Sequence, residues 1–215
     1  MDIEKQIRGG RIIAILRGLS TEATLRAAQA LYDGGVRLLE VPFDSAGDPD
    51  GRRGAENIAA LNRAFCGNIA VGAGTVVSVD LLHRAAEAGA AYIISPNTDA
   101  EVIRRTKALG LFSIPGAMTP SEILSAYRAG ADMVKIFPAA VLGAPYIKAV
   151  RGPLPQVPLI AVGGVGAENA AAFLKAGCIA VACGGKLCDA TAVREERFAD
   201  LTAAAAQLCG VVRGA

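Results

Sequence analysis

The stretch RAGADMVKIF, residues 128–137, contains the unit from which the fold can be predicted. It closes an alanine-rich helical pattern with Gly130 and continues as a short run of mostly apolar residues. Glycine is favoured just past a helix C-terminus because it adopts left-handed backbone angles without a steric penalty. The phrase returns as YDGGVRLLEV (32–41), EAGAAYIISP (87–96) and KAGCIAVACG (175–184), with a looser copy, ALGLFSIP, at 108–115.

These repeats predict a parallel sheet with helices on its outside. The runs after each glycine are nearly all apolar, as expected for parallel strands that are buried on both faces. Strands are predicted at 11–16, 38–43, 69–76, 92–96, 111–116, 133–138, 159–164 and 180–185. Eight strands alternating with helices predict an α/β fold, a (β/α)8 barrel of the TIM type, as one domain over residues 1–215. An open doubly wound sheet is the alternative. An extra N-terminal helix is predicted at 2–9 and a final helix at 195–209.

Composition excludes several classes of protein. The chain is 53% hydrophobic and carries a net charge of only +2 without any Lys/Arg block, which argues against a nucleic-acid partner. No uninterrupted apolar run approaches the roughly 18 residues of a membrane-spanning helix, and MDIEKQIRGG (1–10) lacks the apolar region of a signal peptide. We therefore predict no membrane partner.

Cysteine and histidine usage argues against a metal centre. The five cysteines are odd in number and form no C-x-x-C pair, so neither a disulfide framework nor a zinc site is predicted, and a reducing cytoplasm is the expected compartment. His83 is the only histidine and lies in a helical pattern, VDLLHRAAEAG, on whose surface we expect it. One histidine cannot build a multi-His metal site. No metal or cofactor is predicted.

Two ionisable residues fall in core strands at equivalent positions. Lys135 lies five residues after Gly130, and Glu40 lies five residues after Gly35. Side chains alternate between the two faces of a strand, so both should point the same way. In a barrel this direction is inward, near the C-terminal mouth where active sites assemble. The alternative is a buried Lys–Glu ion pair with a purely structural role.

A buried lysine has a specific chemistry. Desolvation disfavours its charged form and lowers its pKa, and the neutral amine can attack a ketone to form an iminium, which is an electron sink. A nearby carboxylate such as Glu40 can then transfer protons. A lysine and a carboxylate without metal ligands are the equipment of a class I aldolase.

Three further segments predict recognition of an anion. Arg17 ends the first strand in AILRG, where its guanidinium could bind a carboxylate or a phosphate. The turns AVGGVGAEN (161–169) and ACGGKLCD (182–189) follow the seventh and eighth predicted strands, where barrel enzymes commonly bind phosphate. A surface arginine and ordinary tight turns are the alternatives.

Seven phrases in the same order bring a family into view. The sequence resembles the 2-keto-3-deoxy-6-phosphogluconate / 4-hydroxy-2-oxoglutarate (KDPG/KHG) aldolases over essentially its whole length. The phrases are AILRG (14–18), EVP (40–42), GAGTV (72–76), ISPN (94–97), IPGAMTPSE (114–122), KIFPA (135–139) and AVGGV (161–165).

The resemblance implies a homotrimeric barrel that cleaves a 2-keto-3-deoxy sugar acid 6-phosphate reversibly to pyruvate and glyceraldehyde 3-phosphate. It implies Lys135 as the Schiff-base residue and Glu40 as the proton carrier. It further implies a substrate-binding set that comprises Arg17, Thr75, Pro96, Phe137, Gly163, Gly164, Gly184 and Gly185.

Two departures from the family pattern bear on the substrate. Asp44 stands where the phosphogluconate branch has an arginine, so the segment EVPFDS (40–45) is more similar to the phosphogalactonate branch, and Asp44 should contact a substrate hydroxyl. Gly185 and Lys186 stand where the family usually has a phosphate-binding serine, and Lys186 could replace the hydroxyl as a point charge. The alternatives are a 4-hydroxy-2-oxoglutarate aldolase that releases glyoxylate, a phosphate-binding isomerase or synthase that forms no imine, and a non-catalytic sugar-acid-binding protein.

Overall fold

The computed structural model describes residues 2–43 and 47–215. Its strands form one 9-stranded sheet in the order β5-β4-β3-β2-β1-β9-β8-β7-β6, and every pairing is parallel. The strands are β1 (Ile12–Ile15), β2 (Leu38–Pro42), β3 (Ala70–Gly74), β4 (Tyr92–Ile94), β5 (Phe112–Ile114), β6 (Gly116–Ala117), β7 (Val134–Ile136), β8 (Leu159–Val162) and β9 (Ala180–Cys183).

The sheet closes at a proline. The two strands at its ends, β5 and β6, are consecutive in the chain and are separated only by Pro115, which lacks the N–H that a ladder requires. β5 pairs with β4, β6 pairs with β7, and the Pro115 carbonyl accepts a hydrogen bond of 2.9 Å from the Lys135 N–H. The predicted fifth strand, 111–116, is therefore interrupted at residue 115, one residue before its predicted end. The predicted (β/α)8 barrel is confirmed, and the open doubly wound alternative is wrong.

The helices surround the barrel, and the extra N-terminal helix is present. The final helix begins at residue 198 rather than 195, because Glu196 adopts a left-handed φ of 56° that separates it from the preceding helix. The helices are α1 (Ile3–Gly10), α2 (Thr21–Asp33), α3 (Arg52–Phe65), α4 (Val79–Glu87), α5 (Ala100–Ala108), α6 (Pro120–Arg128), α7 (Ala139–Arg151), α8 (Ala170–Lys175), α9 (Ala190–Arg194) and α10 (Phe198–Arg213).

The apolar residues form two separate cores. The larger one lies between the sheet and the surrounding helices. The smaller one fills the inside of the barrel with residues such as Leu38, Tyr92 and Met133, and Ile3 and Ile7 of α1 pack against it. Side chains two residues apart on a strand lie on the same face. Glu40 and Lys135 follow Leu38 and Met133 by two residues, so their side chains also point into the barrel. The C-terminal end of the interior therefore carries the ionisable groups.

His83 is exposed on α4, as predicted. All five cysteines are free thiols, of which only Cys66 is exposed. Within 2–43 and 47–215, no helix is long and apolar enough to cross a membrane.

Candidate active site

One cavity of about 610 Å³ opens at the C-terminal ends of the strands. Eleven of the twelve site residues predicted from the sequence line it. Asp44, the twelfth, lies outside the described residues. The eleven are Arg17, Glu40, Thr75, Pro96, Lys135, Phe137, Gly163, Gly164, Gly184, Gly185 and Lys186. The structure thus brings together residues from seven segments of the chain, while the role of each residue stays a prediction.

Lys135 is the middle residue of β7 and only 6% of its surface is exposed. Burial lowers the pKa of this amine from its ordinary value; the charge of Glu40 opposes that shift and the charge of Arg17 adds to it. The Nζ atom lies 4.8 Å from the ring centroid of Phe137. The amine is therefore largely removed from solvent, and its neutral, nucleophilic form is more accessible than that of an exposed lysine.

Glu40 is the middle residue of β2 and is 2% exposed. Burial raises the pKa of its carboxyl, and the positive charges of Lys135 and Arg17 partly offset this rise. Its Oε2 atom is buried and has no hydrogen-bond partner. No ion pair joins Glu40 to Lys135 in the described structure. Buried carboxyl oxygens normally have a hydrogen-bond partner. A hydroxyl of the bound substrate could supply the partner that Glu40 Oε2 lacks.

Two glycines of β3 make room for Glu40 and for the tyrosine below it. A Cβ on Gly74 would lie 1.9 Å from Glu40 Oε1, and a Cβ on Gly72 would lie 2.1 Å from the Tyr92 ring. The Tyr92 hydroxyl donates a 2.6 Å hydrogen bond to the Leu39 carbonyl, next to Glu40 in the chain. The two glycines of GAGTV are therefore required by the packing of Glu40 and Tyr92. Sequence reasoning predicted neither this requirement nor the contact of Tyr92.

Thr75 follows these glycines in an unusual backbone conformation. Its φ of 57° is left-handed, which is rare for a β-branched residue. Such strain persists only where the surrounding structure enforces it, and it is common at functional sites. Here it brings Thr75 into the cavity wall immediately after the strand that packs against Glu40.

The opposite wall of the cavity presents free backbone donors. Gly163 and Gly164 have consecutive left-handed φ values of 94° and 71°. Among the hydrogen bonds of the described residues, none is donated by the N–H groups of Gly164, Val165 or Gly185. Successive N–H groups in such conformations form concave sites for anions. This wall therefore suits a phosphate.

Lys186 does not stand alone at this wall. Its ammonium pairs with the carboxylate of Glu168, a residue that the sequence analysis did not single out. Both side chains are about half exposed. The only sequence signal for Glu168 is its place in the turn AVGGVGAEN. No group of three or more His, Cys, Asp or Glu side chains that could hold a metal ion occurs in the part of the chain that the structure describes.

Comparison with known proteins gives consistent matches. The family model described as KDPG and KHG aldolase matches residues 3–204. The 2-dehydro-3-deoxy-6-phosphogalactonate aldolase of Escherichia coli (strain K12) is 36% identical over 177 residues, which are 82% of this chain and 83% of the relative.

Two solved structures have the same fold over nearly the whole chain. One, described as native KDPGal, has a TM-score of 0.83 at 35% identity and covers 94% of both chains. The other is a KDPG aldolase from Legionella pneumophila with pyruvate captured at low pH as a covalent carbinolamine intermediate. It has a TM-score of 0.85 at 25% identity and covers 97% of this chain and 98% of its own.

Proposed function

The chain belongs to the KDPG and KHG aldolase family, and from that membership we propose which of its residues cleave the carbon–carbon bond. The family resemblance seen in the sequence phrases is confirmed, and the chain is a carbon–carbon lyase of the Schiff-base type. We assign Lys135 as the Schiff-base residue and Glu40 as the proton carrier. One observation carries the assignment: a nearly buried amine and a buried carboxyl line the same cavity without pairing with each other.

The cleavage follows from the chemistry of these two groups. Neutral Lys135 attacks the C2 carbonyl of the keto acid, and loss of water from the carbinolamine gives an iminium. Glu40 takes the proton of the C4 hydroxyl, the C3–C4 bond breaks, and its electron pair moves to the iminium to give an enamine while the aldehyde leaves. Glu40 then returns its proton to C3. Hydrolysis of the resulting iminium releases pyruvate and regenerates the amine of Lys135.

The other lining residues bind rather than react in this proposal. Arg17 binds the substrate carboxylate, because its guanidinium lines the same cavity as Lys135 and Glu40 and suits a carboxylate. Thr75 donates to a substrate oxygen, and Pro96 and Phe137 pack against the carbon chain. The wall that includes Gly163, Gly164, Gly184 and Gly185 holds the 6-phosphate.

The substrate is a 2-keto-3-deoxy-6-phospho sugar acid, cleaved to pyruvate and glyceraldehyde 3-phosphate in carbohydrate metabolism. The phosphogalactonate epimer is the preferred form in this proposal. It is supported by the Escherichia coli relative, named for that substrate, and by Asp44, which belongs to a segment similar to the phosphogalactonate branch and could contact a substrate hydroxyl. Cleavage of 4-hydroxy-2-oxoglutarate to pyruvate and glyoxylate is the second candidate, because Glu168 neutralises Lys186 at the wall that would hold the phosphate.

A substrate panel tests this assignment. Pyruvate release should be measured for the phosphogalactonate, the phosphogluconate and 4-hydroxy-2-oxoglutarate as initial rates in one coupled assay. We expect the phosphogalactonate to have the highest kcat/KM. Asp44→Asn should retain this preference, and Asp44→Arg should shift it toward the phosphogluconate. A higher kcat/KM for the unphosphorylated acid would favour the second candidate, and no pyruvate from any acid would contradict both.

We also propose that the chain forms a homotrimer. Three exposed apolar side chains lie near the ends of β6 and β7: Met118 is 47% exposed, Phe137 38% and Val141 78%. The Tyr146 hydroxyl of α7 donates to the Met118 carbonyl, so the segments that carry Met118 and Val141 are in contact. A patch of this kind on a globular surface is typical of a protein interface.

Light scattering after gel filtration tests the assembly. The wild-type protein should have about three times the 21.9 kDa mass of the chain. Val141→Asp places a charge in the patch and should shift the mass to that of a single chain. Leu109→Asp is the matched control, since Leu109 is 44% exposed elsewhere on the surface, at the end of α5. A wild-type monomer, or a trimer that survives Val141→Asp unchanged, would contradict the proposed interface.

The remaining assignments concern compartment and domain. All five cysteines are free thiols, four of them buried. A reducing compartment keeps thiols in this state. The cytoplasm is therefore the proposed compartment, and residues 1–215 are proposed to be a single domain.

A further inference from the structure

An acidic side chain stands beside the wall that would hold the phosphate. Glu168, in the loop between β8 and α8, pairs with Lys186, in the loop after β9. Lys186 lines the active-site cavity and also a smaller cavity of about 280 Å³, which Glu168 lines as well. The ion pair therefore lies on the boundary between the two cavities, at the phosphate end of the larger one.

The position of this pair is fixed by the loop beneath it. A Cβ on Gly166 would lie 2.5 Å from Glu168 Oε2 and 2.8 Å from Lys186 Cδ, so the pair crosses directly over the Gly166 backbone. The Asn169 amide holds the same loop: its Oδ1 accepts from the Gly166 N–H at 2.9 Å, and its Nδ2 donates to the Gly164 carbonyl at 3.0 Å. Asn169, the neighbour of Glu168 in the chain, thus ties the turn at Gly164 and Gly166 in place beneath the pair.

The pair changes what the wall offers an anion. Lys186 by itself would contribute one positive charge, but Glu168 cancels it, so the two side chains together are neutral. A phosphate that enters must then be held mainly by backbone N–H groups. The phosphate must also share Lys186 with the Glu168 carboxylate, which repels the phosphate.

We propose that Glu168 is a selectivity-determining residue that weakens the binding of phosphate at this wall by neutralising Lys186. This inference rests on the proposed function, in which the wall holds the phosphate of the substrate. The net charge of the pair, rather than Lys186 alone, then sets how strongly the enzyme prefers a phosphorylated keto acid over an unphosphorylated one.

The wild type, two single variants and the double variant separate the effect of the Glu168 charge from that of the Lys186 charge. The pair has a net charge of zero in the wild type, +1 in Glu168→Gln, −1 in Lys186→Met and zero in the double variant. Both substitutions keep the approximate length of the side chain. Phosphate affinity should follow this order: Glu168→Gln tightest, wild type and double variant similar, Lys186→Met weakest. Each step should be about three- to fivefold, the size expected for exposed charges. The steps should shrink at high salt, because exposed charges are screened.

The experiment has a binding arm and a kinetic arm, both on the full chain. Calorimetric titration with inorganic phosphate at low and high salt gives Kd for the four proteins without requiring turnover. The kinetic arm compares kcat/KM for the phosphogalactonate with kcat/KM for 4-hydroxy-2-oxoglutarate in each protein, so that the unphosphorylated acid serves as an internal reference. Glu4→Gln is the matched control. It removes a carboxylate from an exposed ion pair, with Arg8 on α1, and should leave the Kd for phosphate and the kinetic ratio at their wild-type values.

The outcomes are distinct. The expected order of Kd, with the gain in Glu168→Gln appearing in KM rather than kcat, supports the inference. An equal or weaker phosphate affinity in Glu168→Gln overturns it, since Glu168 would then be inert or would position Lys186 for binding. Failure of the wild-type protein to form a borohydride-trapped adduct with pyruvate contradicts the proposed function instead, and the phosphate Kd values still decide on Glu168.

Discussion

Lys135→Ala should abolish both turnover and the attachment of pyruvate by borohydride. Without the amine there is no iminium to accept the electrons of the C3–C4 bond. Lys186 also lines the cavity, but it is about half exposed and paired with Glu168. In the wild type, mass spectrometry should find one pyruvyl-derived addition on the peptide that contains Lys135. Because burial lowers the pKa of Lys135, the neutral amine should form at lower pH than it does for an exposed lysine, so labelling should increase with pH below the ordinary pKa of about 10.4.

Lys148→Ala is the matched control for this experiment. Lys148 is exposed on α7 and should be dispensable for both labelling and turnover. A circular-dichroism melt of Lys135→Ala distinguishes loss of chemistry from loss of fold. Labelling on Lys148, or persistence of labelling in folded Lys135→Ala, would refute the assignment.

Glu40→Gln should lower kcat by roughly 10²–10⁴-fold, which is the usual contribution of a positioned proton carrier. The amide keeps the shape that Gly74 accommodates but cannot accept the C4 hydroxyl proton. Pyruvate should still be trapped on Lys135, since attack by the amine does not need the carboxylate. Rapid-quench measurement of cleavage, set beside the trapping yield, separates the two steps.

Glu101→Gln provides a comparison on the surface. Glu101 forms only an exposed pair with Arg105 on α5, and its substitution should leave kcat at the wild-type value. A near-wild-type rate in Glu40→Gln would return Glu40 to a structural role beside Lys135.

The barrel could be predicted from the sequence because its unit is repeated. A helix, a glycine and a buried strand recur, and counting five residues from Gly35 and Gly130 placed Glu40 and Lys135 at equivalent inward positions. The interruption at Pro115 was not predicted, because the sequence does not show whether a proline ends a strand or separates two short strands that pair with different neighbours. The pairing of β5 with β4 and of β6 with β7 explains why the break is tolerated.

The parts of the site that escaped prediction all depend on contacts between segments. Glu168 and Lys186 meet only because two loops adopt particular conformations above Gly166, and no periodicity in the sequence encodes that meeting. Tyr92 was predicted only as part of an apolar strand. Its contact with Gly72 could not be predicted without knowing which strands are adjacent. Thr75 was found through the family phrase, and its strained backbone was visible only in the structure.

The glycines of β3 have a consequence for the engineering of such enzymes. The space that Glu40 occupies belongs to the neighbouring strand, where Gly74 supplies it by having no side chain. A designer who moves the reactive carboxylate into another barrel therefore cannot transfer one residue alone. The smallest portable unit is a pair of adjacent strands, with the acid on one and the missing side chain on the other.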